Sequence, residues 1–139
     1  GLLANSIGAY FSLCDTPAGT FERAWLVSPL LDLEYYIRDI MAEYSVTDEQ
    51  LEAETEINTP RGVLEWPYLR FVKKHPARLD IPSWIIRGDQ DEMVPLGSLS
   101  RFVGAPGVEL VQIEGGQHFL GRPPYLDTVV AWFEERYPA

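Results

Sequence analysis

Cysteine and histidine are scarce, with one cysteine and two histidines in 139 residues. The single cysteine, Cys14, excludes an intrachain disulfide and a cysteine-based metal site. The two histidines, His75 and His118, disfavour a multi-histidine zinc site. We therefore expect no metal and no cofactor, and a reduced, cytoplasmic setting.

Positive charge is also scarce, because 11 lysines and arginines stand against 21 acidic residues, for a formal net charge of −10. Nucleic-acid phosphates and anionic membrane surfaces bind proteins through basic faces, so neither partner is expected. No apolar run approaches the roughly 18 residues that span a bilayer, and no basic segment is followed by the apolar segment of a signal peptide. A hydrophobic fraction of 46% is ordinary for a soluble globular domain.

Apolar runs of strand length alternate with helical patterns along most of the chain. The strand-like runs are Leu2–Leu3, 23–28, 81–88 and 107–115, and the helical patterns are 7–13, 96–103 and 125–137. Such alternation predicts an α/β fold in which helices flank a parallel sheet. Residues 30–79 interrupt it with helical patterns around a turn at 58–62, and we interpret them as a helical insertion within one domain, 1–139.

Polar side chains follow three of the predicted strands. Ser6 follows the first, Asp91 the third and His118 the fourth. Ligands of an open parallel sheet bind beyond the carboxyl ends of its strands. Serine, histidine and aspartate are also the residue types of a nucleophile, its general base and the acid that orients the base. Two other polar residues lie at strand ends. Asp89 is interpreted as a turn residue, and Ser28 is interpreted as a turn residue with a hydrogen bond in the site as the alternative.

Small residues lie two positions on either side of Ser6, namely Ala4 and Gly8. A sharp strand-to-helix turn exposes a serine hydroxyl, and we expect small neighbours because strand and helix pass close together there. The N–H of Ile7 would then lie at the helix N-terminus, where it could donate to an oxyanion.

With these residues the chain resembles the α/β-hydrolase family. ANSIGAY is similar to the nucleophile elbow G-x-S-x-G, with Ala4 at the first glycine. IPSWIIRGDQDEMVP resembles the family's acid-bearing strand and loop, EGGQHFL resembles its histidine loop, and the order Ser, Asp, His is the family's order. The resemblance implies that Ser6 is the nucleophile, His118 the general base and Asp91 the orienting acid, with Ile7 as an oxyanion donor.

The resemblance covers only the last third to half of a typical hydrolase domain. It implies a partial α/β-hydrolase fold whose N-terminal strands are absent, together with the loop that supplies a second oxyanion donor. We therefore expect a truncated chain, and the resemblance leaves open whether this chain is active by itself. An unpaired apolar edge on the first strand would also favour self-association.

Residues 30–79 occupy the place where this family commonly carries a cap. The resemblance makes Tyr35, Tyr36 and Trp66 candidates for a substrate pocket, and packing between helices is the alternative for each of them. The implied function is a serine hydrolase that cleaves an ester, thioester or amide of a small acyl substrate. The alternative is a non-catalytic, degenerate hydrolase or a protein-interaction module, which would gain if Asp91 and His118 were not hydrogen-bonded.

Overall fold

The computed structural model describes residues 1–138 and divides the chain into two compact units. The first unit comprises Gly1–Leu31 and the residues from Ala77 onward, and the second is Asp32–Pro76. The second unit begins and ends close to the bounds of the insertion, 30–79, that the sequence suggests.

The helices and strands are named in chain order. They are β1 (Leu2–Asn5), α1 (Ile7–Asp15), β2 (Ala24–Val27), α2 (Leu33–Glu43), α3 (Asp48–Glu54), β3 (Glu56–Thr59), β4 (Gly62–Glu65), α4 (Trp66–Lys74), β5 (Ser83–Gly88), β6 (Val108–Ile113) and α5 (Leu126–Arg136). None of the helices within residues 1–138 is long and apolar enough to cross a membrane.

A four-stranded parallel sheet forms the centre of the first unit, with strand order β1-β2-β5-β6. The inner strands β2 and β5 are almost wholly buried and most of their residues are apolar, as is typical of strands covered on both faces. Because all four strands run the same way, their carboxyl ends meet at one edge of the sheet. The predicted α/β architecture is confirmed.

Tryptophans from a strand and a helix hold the first unit together. Trp25 of β2 and Trp132 of α5 belong to one buried cluster, and Trp25 also stacks on Trp84 of β5 with ring centroids 5.4 Å apart. Large aromatic side chains bury much apolar area each, so this cluster anchors α5 against the sheet. The strands whose ends carry the polar residues are therefore well packed against α5.

Strand β1 lies at the edge of the sheet, and among the described residues it pairs only with β2. Leu3 in this strand is 60% exposed. An exposed apolar edge is a site where other chains can pair, and self-association there stays a prediction.

The second unit is not wholly helical, which corrects the predicted insertion. Besides α2, α3 and α4 it contains an antiparallel pair, β3 and β4. Helix α3 begins after Thr47, whose Oγ1 accepts from the Gln50 N–H, and it ends at Glu54, before Thr55 with its left-handed φ of 67°. The predicted turn near 58–62 is the bend of this hairpin, with Gly62 at φ 135°.

The predicted helix at 96–103 is also shorter than expected. Only Leu96–Leu99 is helical, as a single 3₁₀ turn after Pro95, and irregular turns follow it. By contrast, α5 agrees with the predicted closing helix to within a residue at each end.

Candidate active site

Ser6 occupies the turn between β1 and α1 in a strained backbone conformation, with φ 49° and ψ −131°. Its N–H donates to the Val27 carbonyl at 3.1 Å, and its own carbonyl accepts from the N–H groups of Ala9 and Leu30. These bonds tie the turn to the end of β2 and to the first turn of α1. Such a conformation costs about 1–3 kcal/mol and persists only where its surroundings enforce it.

Gly8 lies two positions after Ser6, at the beginning of helix α1. A Cβ built on Gly8 meets no atom within 4 Å outside the nearby backbone of its own helix, so the described residues leave room for alanine there. The need for small neighbours around Ser6 stays a prediction.

The backbone N–H of Ile7 is the first of helix α1, and no acceptor within the described residues is paired with it. The first N–H groups of a helix have no partner inside the helix and carry part of its positive dipole end. This donor, directly after Ser6, is therefore available to an anionic oxygen.

The side chains of Ser6, His118 and Asp91 form a continuous chain of hydrogen bonds. Ser6 Oγ lies 2.8 Å from His118 Nε2, and His118 Nδ1 lies 2.9 Å from Asp91 Oδ2. An ionised carboxylate only accepts hydrogen bonds, so Nδ1 carries the imidazole proton. Nε2 of the neutral ring is then the acceptor for the Ser6 hydroxyl. Three residues that follow different strands are thus brought together in the first unit.

The Asp91 carboxylate is buried, with 2% of the residue exposed, and it is fully supplied with donors. Oδ1 accepts from the N–H groups of Met93 at 3.0 Å and Val94 at 2.9 Å, while Oδ2 accepts from His118. Burial of a charge is tolerated where hydrogen bonds replace its hydration. The same bonds fix which oxygen faces the imidazole.

The loops that carry Asp91 and His118 touch through two glycines. A Cβ built on Gly88 would lie 2.0 Å from the Gly116 carbonyl oxygen, so only glycine fits there. The Gln90 N–H donates to that same carbonyl at 2.9 Å. Gly88 therefore does more than end a strand, since it lets the two loops pack backbone to backbone.

Asp89 adds a side-chain bond between the same loops, because its Oδ1 accepts from the Gly115 N–H at 2.8 Å. Sequence reasoning treated Asp89 as a turn residue and missed this bond across 26 positions. The sequence feature that could have indicated this bond is the pair of glycines shortly before His118. Glycines have no side chain, so their backbone N–H groups can approach another loop closely.

Sequence reasoning also missed Arg87, a buried charged residue inside the mostly apolar run SWIIRG. Its Nε donates to the Val94 carbonyl at 3.0 Å, its Nη2 to the Asp91 carbonyl at 3.2 Å and its Nη1 to Gln112 Oε1 at 2.5 Å. A charge in a buried strand was the signal that could have revealed it.

The predicted pocket residues all lie in the second unit. Tyr35 and Tyr36 are on α2, and Trp66 is the first residue of α4. Tyr35 is 39% exposed, and the Arg61 guanidinium lies 5.7 Å from the centre of the Tyr36 ring. A role in substrate binding stays a prediction for all three.

No protein-family model matches the sequence, and no curated protein is significantly similar to it. Solved structures do match. Mouse alpha/beta hydrolase domain-containing protein 10 superposes with a TM-score of 0.74 at 14% identity, over 96% of this chain and 60% of that protein. The chain has the α/β-hydrolase fold.

Two further α/β-hydrolase structures support the same conclusion. Est1E from Butyrivibrio proteoclasticus matches with a TM-score of 0.67 at 20% identity, over 96% of this chain and 59% of its own. The monoacylglycerol lipase of Paleococcus ferrophilus matches with a TM-score of 0.56 at 12% identity, over 96% of this chain and 66% of the lipase. The chain thus spans about 60% of the length of the mouse protein and of Est1E. The partial hydrolase fold expected from ANSIGAY and the two later motifs is confirmed.

Proposed function

We propose that this chain carries the catalytic residues of a serine hydrolase that cleaves an ester, thioester or amide of a small acyl substrate. The observation that carries the proposal is the hydrogen-bonded chain Ser6–His118–Asp91, all of it within the first unit. The α/β-hydrolase fold supports it further, since ligands of such sheets bind at the carboxyl ends of the strands, where these residues lie.

In the proposed mechanism, Ser6 Oγ attacks the substrate carbonyl while His118 Nε2 takes the hydroxyl proton. The resulting oxyanion accepts from the Ile7 N–H, and Asp91 stabilises the imidazolium. His118 returns the proton to the leaving alcohol, thiol or amine, which leaves an acyl-Ser6 ester. Water then attacks this ester with His118 again as base, releasing the acid and restoring the serine.

Exposed apolar side chains next to the site support a substrate with an apolar part. Phe119 follows His118 and is 74% exposed, with its ring edge-on to the imidazole at 5.1 Å between centroids. Ile7 follows Ser6 and is 42% exposed. Apolar surface beside reacting polar groups is typical of small-molecule sites. Est1E and the lipase carry names that fit an acyl ester.

The proposal also includes the pocket residues, the partner and the cellular setting that the sequence suggests. Tyr35, Tyr36 and Trp66 contribute to the substrate pocket, and the partner is a small acyl molecule rather than nucleic acid or a membrane. The setting is cytoplasmic, and no metal or cofactor takes part.

A fluorophosphonate probe tests the proposal, because it reacts only with an activated serine. We expect the full chain to be labelled at Ser6 and the Ser6→Ala variant to be unlabelled. Ser100→Ala is the matched control, since Ser100 is exposed, lies in the same unit and is outside the proposed machinery. Asp91→Asn should slow labelling by about 10⁴-fold, because it favours the wrong imidazole tautomer. A folded chain that is not labelled would show that Ser6, His118 and Asp91 do not form an active site in this chain by itself.

A further inference from the structure

We propose that Arg87 is a positioning residue, which fixes the turn carrying Asp91 so that Asp91 Oδ2 faces His118 Nδ1. The proposal deepens the hydrolase assignment and rests on it for its effect on catalysis. Its effect on the geometry of the histidine can be measured separately.

Arg87 binds both ends of the four-residue turn 91–94. Its Nη2 donates to the carbonyl of Asp91, the first residue, and its Nε donates to the carbonyl of Val94, the last residue. Within the turn, Asp91 Oδ1 accepts from the Val94 N–H. The guanidinium and the carboxylate therefore hold the same short segment, one through its carbonyls and the other through its amides.

The third contact of Arg87 fixes the guanidinium itself. Gln112 is directly opposite Arg87 in the β5–β6 register, and its Oε1 accepts from Nη1 at 2.5 Å. Gln112 is followed by Ile113, the last residue before the loop that contains His118. Arg87 thus links the Asp91 turn to the strand that leads into the histidine loop.

The pattern of acceptors indicates positioning rather than charge neutralisation. Arg87 is 3% exposed, yet within the described part of the chain no carboxylate lies at ion-pair distance from it, and its acceptors are two backbone carbonyls and one amide oxygen. The contact to Asp91 goes to the backbone, which leaves both carboxylate oxygens to Met93, Val94 and His118. A planar fork can reach three such acceptors in fixed directions, whereas a lysine ammonium cannot.

The experiment compares Arg87→Met, Arg87→Lys and Arg87→Ala in the full chain. We expect fluorophosphonate labelling to slow in all three, by up to about 10²-fold for Met and Ala, since small displacements of catalytic groups have effects of this size. We also expect the proton NMR signal of His118 Nδ1–H, which reports its bond to Asp91, to shift or disappear. Retention of the wild-type rate and the wild-type signal would overturn the proposal.

Guanidinium ion tests whether the lost hydrogen bonds of Arg87, rather than another effect of the substitution, slow the labelling. An open groove of about 370 Å³ is lined in part by Arg87, Asp91 and Gln112, and we expect a small cation to enter the vacated place in Arg87→Ala from this groove. Millimolar guanidinium should restore part of the labelling rate in Arg87→Ala and none in Asp91→Asn. Rescue of neither variant, or of both equally, would count against positioning.

Arg136→Met is the matched control. Arg136 also makes several hydrogen bonds in the first unit, but to Glu109 near the start of β6 and to the end of α5, away from the strand ends that carry the site. Its loss should leave labelling and the His118 signal unchanged. If Arg87→Met and Arg87→Ala do not fold, Arg87→Lys decides, because wild-type values of both readouts in that variant overturn the proposal.

The two proposals fail in different ways. A wild-type chain that shows the His118 signal but no labelling removes hydrolase activity of this chain by itself, while an Arg87-dependent signal still supports positioning. A labelled wild-type chain with unaffected Arg87 variants removes the role of Arg87 and leaves the hydrolase proposal intact.

Discussion

The turn that carries Ser6 and the two loops that carry Asp91 and His118 are built on different physical principles. Ser6 has a strained backbone conformation with a φ of 49°, and backbone hydrogen bonds to Val27, Ala9 and Leu30 maintain it. Asp91 and His118 lie on loops 27 positions apart in sequence, and contacts between those loops hold them.

The conformation of the Ser6 turn thus depends mainly on residues nearby in sequence, whereas the positions of Asp91 and His118 depend on contacts between segments far apart in sequence. The Ser6 turn depends on a few residues close in sequence and on the end of the neighbouring strand. The loop pair depends on a backbone contact at Gly88 and Gly116, on the Asp89 side chain and on the guanidinium of Arg87. The two parts should therefore respond differently to substitution, the turn through strain and the loops through loss of mutual contact.

The largest effect is expected from Gly88→Ala. The added Cβ would lie 2.0 Å from a backbone carbonyl oxygen of the other loop, which no side-chain rotation can relieve. We expect the free energy of unfolding to fall by about 3 kcal/mol, and fluorophosphonate labelling to be lost even where the protein still folds. Denaturant unfolding and labelling measure the two effects.

Gly121→Ala is the control for this substitution. Gly121 lies in the same unit, and a Cβ built there meets no atom within 4 Å. Its replacement should change neither stability nor labelling appreciably. If Gly88→Ala behaved like Gly121→Ala, the two loops would not be in the contact described.

A smaller effect is expected at Ser6, where glycine should raise the free energy of unfolding relative to alanine. Glycine tolerates the backbone conformation that strains serine or alanine, so Ser6→Gly should be more stable than Ser6→Ala. The strain of about 1–3 kcal/mol is reduced by the greater chain entropy of unfolded glycine, about 0.5–1 kcal/mol. A net gain of about 1 kcal/mol remains, and denaturant unfolding of both variants measures it.

The same pair of substitutions at Ser100 should give the reverse order. Ser100 has an ordinary helical conformation, with φ −59° and ψ −29°, so glycine there is expected to be less stable than alanine. Equal ordering at the two serines would mean that the Ser6 turn stores no strain.

The sequence was sufficient to single out the three side chains that the structure joins by hydrogen bonds, and their role as a catalytic site stays a proposal. Ser6, Asp91 and His118 each follow an apolar strand, and parallel strands bring their carboxyl ends to one edge, so the fold itself gathers them. The alternation of strands and helices likewise predicted the sheet, because buried parallel strands are continuous apolar runs.

The remaining features depend on contacts that sequence pattern does not encode. The partners of Arg87 are the carbonyls of a turn and a glutamine on the next strand, and carbonyls carry no residue-type signal. The strands β3 and β4 were missed because each is four residues long and largely exposed, which leaves no apolar alternation to detect. Gly88 was recognised as part of a motif, but its steric reason lies in the opposite loop.

The smallest effect is expected at Asp89, the side-chain bond between the loops. Asp89→Ala removes the acceptor for the Gly115 N–H, and an exposed hydrogen bond of this kind contributes about 0.5 kcal/mol, at the lower end of the usual range. Asp89→Asn retains a carbonyl oxygen at the same place and should lose less. Hydrogen exchange of the Gly115 amide is the sensitive measurement, because it should become faster in Asp89→Ala while amides of β2 stay unchanged. An unchanged Gly115 rate would show that the backbone contact of Gly88 with Gly116 holds the loops without help from Asp89.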